Sequence, residues 1–217
     1  MNVLLSYPRS GNHLVRFFIE LLSEIPTFGC DENIHDVPIY KNVFPKTIPF
    51  NIGNFAVDEI YRKFHTFPDK YVKKLLFIVR NPREVLLRHL NYKFQLEGWC
   101  GYDSYFESVD YYNNFNGEKH IFFYEDICND KVKFIKELYA FLCIDNEPKL
   151  QYVLDNIDEL FELSKQGTGR SWGGVNSTSV NFYYVKLNGD AKLKFDNYIQ
   201  SKLLTNKYEI LKTKYNL

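Results

Sequence analysis

The sequence has no CxxC or other zinc-type pairing of cysteines: Cys30, Cys100, Cys128 and Cys143 stand far apart. That spacing argues against a metal centre or a disulfide scaffold as the organiser of the fold, and the four read as reduced, mostly buried thiols. No apolar run approaches the roughly 20 residues needed to cross a bilayer. Nor does a basic segment precede a hydrophobic stretch at the N-terminus, so the expectation is a soluble, cytoplasmic protein with no membrane partner. Net charge is also missing. Lys+Arg and Asp+Glu balance at 27 each, which leaves no overall field to draw the chain onto nucleic acid. Any anion it binds must be held by a local cluster. Methionine occurs once, against 17 Tyr and 19 Phe, enough aromatic surface for a filled interior and a lined cleft. Repeats and low-complexity tracts are absent, and 217 residues suit one domain spanning 1–217.

What the sequence does contain is an alternation of short apolar runs and helical patterns. Val3 to Tyr7 is a strand-like run stopped by Pro8, and Leu14, Phe17, Phe18, Leu21, Leu22 and Ile25 then recur at helical spacing up to Pro26. Leu75 to Val79 is continuously apolar, as in a strand buried on both faces. It leads through Arg80 to Asn81, Pro82 and Glu84, which predict a helix start with Asn as N-cap and Glu closing a capping box. Ile121 to Tyr124 repeats the strand pattern, and Asp130 opens a helix carrying Phe134, Ile135, Leu138, Phe141 and Leu142. Three strand–helix units predict an α/β fold, a parallel sheet covered by helices on both faces, with ligands at the carboxyl ends of the strands. Residues 29–58, rich in Pro, Asn and Gly, read as irregular cover over one edge of that site.

Chemistry concentrates at the first two of those strand ends. Between the first strand and helix lie Tyr7, Pro8, Arg9, Ser10, Gly11, Asn12 and His13. A glycine lets the backbone approach a ligand, the helix N-terminus offers N–H groups, and Arg9 adds positive charge, so the turn is a phosphate-type cradle. It is not a Walker A loop, since the Gly-Lys-Ser/Thr ending is missing. At the second strand end, Arg80 and, eight residues on, Arg88 can fork onto a phosphate. The alternative for either is an ion pair with Glu84 or another carboxylate.

These residues resemble the motifs of PAPS-dependent sulfotransferases, which use 3′-phosphoadenosine 5′-phosphosulfate (PAPS) and release 3′,5′-adenosine bisphosphate (PAP). The first turn is similar to that family's 5′-phosphosulfate loop through Tyr7, Pro8, Ser10 and Gly11, with Arg9 in place of its lysine. Leu75 to Arg83 resembles its 3′-phosphate motif, and Phe123 to Ile127 its tyrosine-bearing strand end near the adenine. Lys63 to Pro68 resembles the segment that supplies its catalytic histidine. Gly167, Thr168, Gly169, Arg170, Ser171 and Trp172 are a degraded version of its late glycine loop, and Phe195, Asp196 and Tyr198 echo its tail. The resemblance runs from about Leu5 to Tyr198 in short islands.

The resemblance implies a three-layer α/β/α architecture of P-loop-NTPase-like type and a sulfuryl transfer that needs no metal. His65 is the implied general base, with Lys63 and Arg9 stabilising the transferring group. Arg9, Ser10, Gly11, Asn12, His13, Leu14, Arg80, Arg88, Tyr124 and residues 167–172 are the implied nucleotide contacts. Four further positions depart from the pattern: Arg88 replaces a serine, Leu14 replaces the tryptophan that packs on adenine, and Lys165 with Gln166 replaces an Arg-Lys pair. A nucleotide-dependent phosphotransferase and a catalytically silent nucleotide-binding protein are the competing readings. The expected acceptor is a small molecule or glycan carrying a hydroxyl or amine, bound by a monomer or weak homodimer. Tyr92, Trp99, Tyr102, Tyr105, Phe106, Tyr111 and Tyr112 either line the acceptor cleft or pack as a helical hairpin. His35, His89 and His120 have no constellation around them and read as structural.

Overall fold

The computed structural model describes residues 1–25, 27–28, 61–68, 71–89, 100–166 and 184–217. Its sheet has the order β2-β1-β3-β4, from β1 (Asn2–Ser6), β2 (Tyr61–Phe64), β3 (Lys74–Val79) and β4 (Glu118–Phe123). Every pairing is parallel: Leu5 lies beside Phe64 on one side and Phe77 on the other, and Val79 beside Phe123.

Strand alternation sorts the apolar residues into two cores, because successive side chains point to opposite faces. Val3, Leu5, Leu75, Phe77 and Val79 join the core built with α2 (Pro82–His89), α3 (Tyr102–Asn114) and α8 (Gly189–Leu203). Leu4, Leu76, Ile78 and Phe122 face α1 (Asn12–Ser23), α5 (Lys131–Leu142), α6 (Glu147–Asp155) and α7 (Ile157–Gln166). The result is the expected three-layer α/β/α arrangement. Two short helices complete it, α4 (Tyr124–Asn129), which continues directly from β4, and α9 (Glu209–Tyr215).

Three details differ from the sequence expectation. The fourth strand, β2, has no apolar run of its own. Tyr124 is the first residue of α4 and not the last of a strand. The capping box at α2 is also not made: Asn81 Oδ1 does accept from Arg83 N–H at 2.9 Å, but Glu84 turns away to Arg88, and Asn81 N–H donates instead to Glu125 Oε1 at 3.0 Å. A buried Glu84 has a stronger partner in a guanidinium than in a backbone amide.

Because β1 sends the chain first to β2 on one side and later to β3 on the other, the strand order reverses at β1. A crevice opens at the carboxyl ends of the strands at such a reversal. The turn after β1, the Arg80 tip of β3, the β2 end and the β4 end all meet there. Among the described residues no helix is long and apolar enough to cross a membrane. The region 29–58 expected to cover the site lies outside the described residues.

Candidate active site

The turn after β1 is shaped by two left-handed residues, Arg9 (φ 72°) and Gly11 (φ 103°). Tyr7 anchors it from within: its hydroxyl donates to the Cys100 carbonyl at 2.7 Å, and its own carbonyl accepts from Ser10 N–H at 3.2 Å. Asn12 Nδ2 donates to Ser6 Oγ at 2.9 Å, tying the first residue of α1 back to the end of β1. The amides of the first turn of α1 therefore open at the strand end, where they have no partners within the helix. The Ser10 hydroxyl is buried there and has no hydrogen-bond partner among the described residues. Gly11 has no room for a side chain, since a Cβ would lie 2.5 Å from a ring carbon of Tyr124.

That contact joins the turn to the ends of β3 and β4. Arg80, 4% exposed, lays its guanidinium 4.2 Å above the Tyr124 ring and donates from Nη1 to the Arg9 carbonyl at 3.3 Å. Tyr105 fixes the backbone beneath by donating to the Arg80 carbonyl at 2.9 Å. Burial pulls Arg80 below its ordinary pKa, and burial also pushes Tyr124 up to about 12, so the ring stays neutral. Arg88 donates to Glu84 Oε1 from Nε at 2.9 Å and Nη2 at 2.5 Å, and Arg80 Nη2 lies 3.9 Å from the same oxygen. Arg83 turns elsewhere, to Asp196 at 3.8 Å.

On the other side of the turn, His65 follows β2 and brings Nδ1 to 2.7 Å from the Ser6 carbonyl. A carbonyl only accepts, so Nδ1 carries the proton and Nε2 keeps its lone pair. Burial lowers the His65 pKa to about 4, the Ser6 bond partly offsets it, and the charges of Lys63, His89 and His13 add to it. Lys63, on β2, is close enough for its charge to act on His65. His13 is exposed on the first turn of α1. His89 sets its ring edge-on to Tyr7 at 5.4 Å, and burial with the nearby Arg9 charge lowers its pKa to about 4.

The structure thus gathers Arg9, Ser10, Gly11, Asn12, His65, Arg80 and Tyr124 at one set of strand ends. Arg88 lies one step behind, held through Glu84. Leu14 is half-buried against the core on the α1 face. Gly167, Thr168, Gly169, Arg170, Ser171 and Trp172 lie outside the described residues, as do Tyr92, Trp99 and His35. Tyr102, Tyr105 and Phe106 are buried in the core of the α3 face, so packing and not a cleft is what these three supply. His89 is the residue the sequence did not point to. Its place beside Tyr7 arises only when α2 packs back over the turn, and no local motif encodes that.

No protein-family model matches the sequence, and no curated protein matches it. Solved structures do. Mouse sulfotransferase SULT7A1 complexed with PAP is similar over 99% of this chain and 88% of its own, at 17% identity and a TM-score of 0.58. Retinol dehydratase with androsterone and the inactive cofactor PAP is similar over 93% of this chain and 80% of its own, at 15% identity and a TM-score of 0.56. Retinol dehydratase with retinol and PAP covers the same shares, at 14% identity and a TM-score of 0.55. The chain has the three-layer α/β/α fold of PAP-bound sulfotransferases.

Proposed function

We propose that this chain is a PAPS-dependent sulfotransferase that transfers a sulfuryl group to a hydroxyl or amine of a small-molecule or glycan acceptor. The observation that carries this is the meeting of three strand ends around one turn: Arg80 on the Arg9 carbonyl, Arg80 on the Tyr124 ring, and Tyr124 against Gly11. The same residues fit a nucleotide with phosphate groups at both ends. The orphaned Ser10 hydroxyl and the amides of α1 suit the 5′ end, Arg80 with Arg88 the 3′ phosphate, and the Tyr124 ring the base.

PAPS, when bound, supplies the activated sulfuryl group. The chain's own contribution begins at His65, whose Nε2 lone pair takes the acceptor's proton while Nδ1–H on the Ser6 carbonyl fixes the ring. Its depressed pKa keeps it neutral near pH 7, and an anion arriving beside it favours the imidazolium that proton transfer creates. Arg9, Lys63 and the amides of the turn stabilise negative charge as it builds on the oxygens, the preorganised electrostatics of phosphoryl-transfer sites. Cys100, Cys128 and Cys143 are free thiols, which suits a reducing compartment such as the cytoplasm.

Calorimetry with PAP against ATP, followed by transfer of labelled sulfate from PAPS to a panel of hydroxyl and amine acceptors, tests the reading. The expected result is binding of PAP in preference to ATP and label on at least one acceptor class. Preference for ATP would move the chain to the phosphotransferases, and PAP binding without transfer to the silent nucleotide-binding proteins.

A further inference from the structure

Glu84 is fully buried on the first turn of α2, between the two arginines assigned to the 3′ phosphate. Its Oε1 accepts from Arg88 Nε and Nη2 and lies 3.9 Å from Arg80 Nη2. Counted as formal charges, two guanidiniums and one carboxylate leave this buried cluster at a net of plus one. Arg80 has other holds, the Arg9 carbonyl and the Tyr124 ring, so its place does not depend on Glu84 alone. Arg88 is different: its side-on pair with Glu84 is its strongest described contact, with both bonds going to a single oxygen.

Resting on the sulfotransferase reading, we propose that Glu84 is a resident competitor for the 3′ phosphate, a positioning and specificity-determining residue that limits how tightly the site holds a 3′-phosphorylated nucleotide. Without nucleotide it neutralises guanidiniums that would otherwise repel each other out of water. With nucleotide it remains close to a second anion and opposes it. Two anions about 6 Å apart in a medium of effective dielectric ~20 repel by several RT, so the opposition is large enough to matter for affinity. A site that must release PAP after each turnover gains from such a limit, since product release often sets kcat.

The test compares PAP with adenosine 5′-monophosphate, which lacks the 3′ phosphate, by calorimetry on the full chain. The ratio of the two affinities isolates the 3′ site, because a general loosening of the fold lowers both together. Glu84→Gln is expected to raise the ratio by about tenfold while lowering the melting temperature of the nucleotide-free protein. A merely structural carboxylate would not move those two quantities in opposite directions.

Removing both partners of a buried pair is tolerated better than removing one, which supplies a second comparison if Glu84→Gln does not fold. Arg88→Gln leaves the cluster with no net charge and is expected to lower the ratio by about tenfold; adding Glu84→Gln returns it to plus one and restores the ratio to near wild type. A ratio equal in Arg88→Gln with and without Glu84→Gln would overturn the proposal, as would a lowered ratio in Glu84→Gln. A wild-type protein that does not prefer PAP to the monophosphate would instead sink the sulfotransferase reading, and the proposal with it.

Discussion

In the proposed reaction His65 is the general base. Replacing it with Ala is expected to lower kcat by about 10²-fold or more at saturating PAPS while leaving donor affinity nearly unchanged, since the base meets the acceptor's proton and not the nucleotide. Comparable turnover in the variant would remove it as the base. Its pKa also gives a stability signature. In the folded chain His65 and His89 titrate at about 4, against an ordinary value of 6.5, so between those limits the unfolded chain binds more protons. Stability should therefore rise from pH 4 to 6.5, be fully present above that window, and be lost as pH falls through it. Denaturant midpoints across the window measure this, and His65→Gln with His89→Gln should flatten the curve. Gly11→Ala is expected to destabilise by ~2 kcal/mol and abolish PAP binding, because a Cβ at φ 103° collides with the Tyr124 ring on which Arg80 rests. Arg80 is legible in the sequence because it ends an apolar run, and Gly11 because it lies in the turn that follows one. The Glu84–Arg88 pair is legible only as a possibility of spacing, since i to i+4 fits a surface pair as well as a buried one.

At the scale of elements, what can be read follows burial. β1 and β3 are buried along nearly their whole length and show as unbroken apolar runs. β2 does not show, because its Tyr-Arg-Lys-Phe sequence has only Tyr61 buried, and among the described residues it pairs with β1 on one side and with Phe28 alone on the other. Its strand character comes from pairing with β1, a contact between residues about sixty apart that no local pattern can announce. α9 is the other element whose role is hidden. Its Tyr215 hydroxyl donates to Glu125 Oε2 at 2.9 Å, Lys214 pairs with Asp126, and Glu125 in turn holds the Asn81 amide. The helix thereby braces the ends of β3 and β4 against each other. Tyr215→Phe removes the donor to a carboxylate that also carries the Asn81 amide, and is expected to lower stability by about 1–2 kcal/mol in thermal unfolding. An unchanged melting temperature would show that α9 does not brace the site.

For the whole molecule, the alternation of runs announces an α/β fold with a parallel sheet, and the structure agrees. The strand order is not announced, because it depends on which edge of β1 each later strand takes. With the site drawing on the ends of the four described strands, a nucleotide that bridges them should stabilise the domain as one unit. PAP at a hundred times its dissociation constant is expected to add about 2.7 kcal/mol to unfolding, seen as a single shifted transition. A transition that split in two would place the site on only part of the fold. The all-parallel sheet also bears on biosynthesis. β1 is synthesised before either of its described neighbours, residues 61–64 and 74–79, so Val3, Leu4 and Leu5 leave the ribosome before the strands that pair with them exist. Until some seventy further residues have been synthesised, β1 lacks its β3 neighbour and is an aggregation-prone strand in the nascent chain. Its yield in a cell should consequently depend on how quickly translation proceeds through that interval, and on what holds β1 in the meantime.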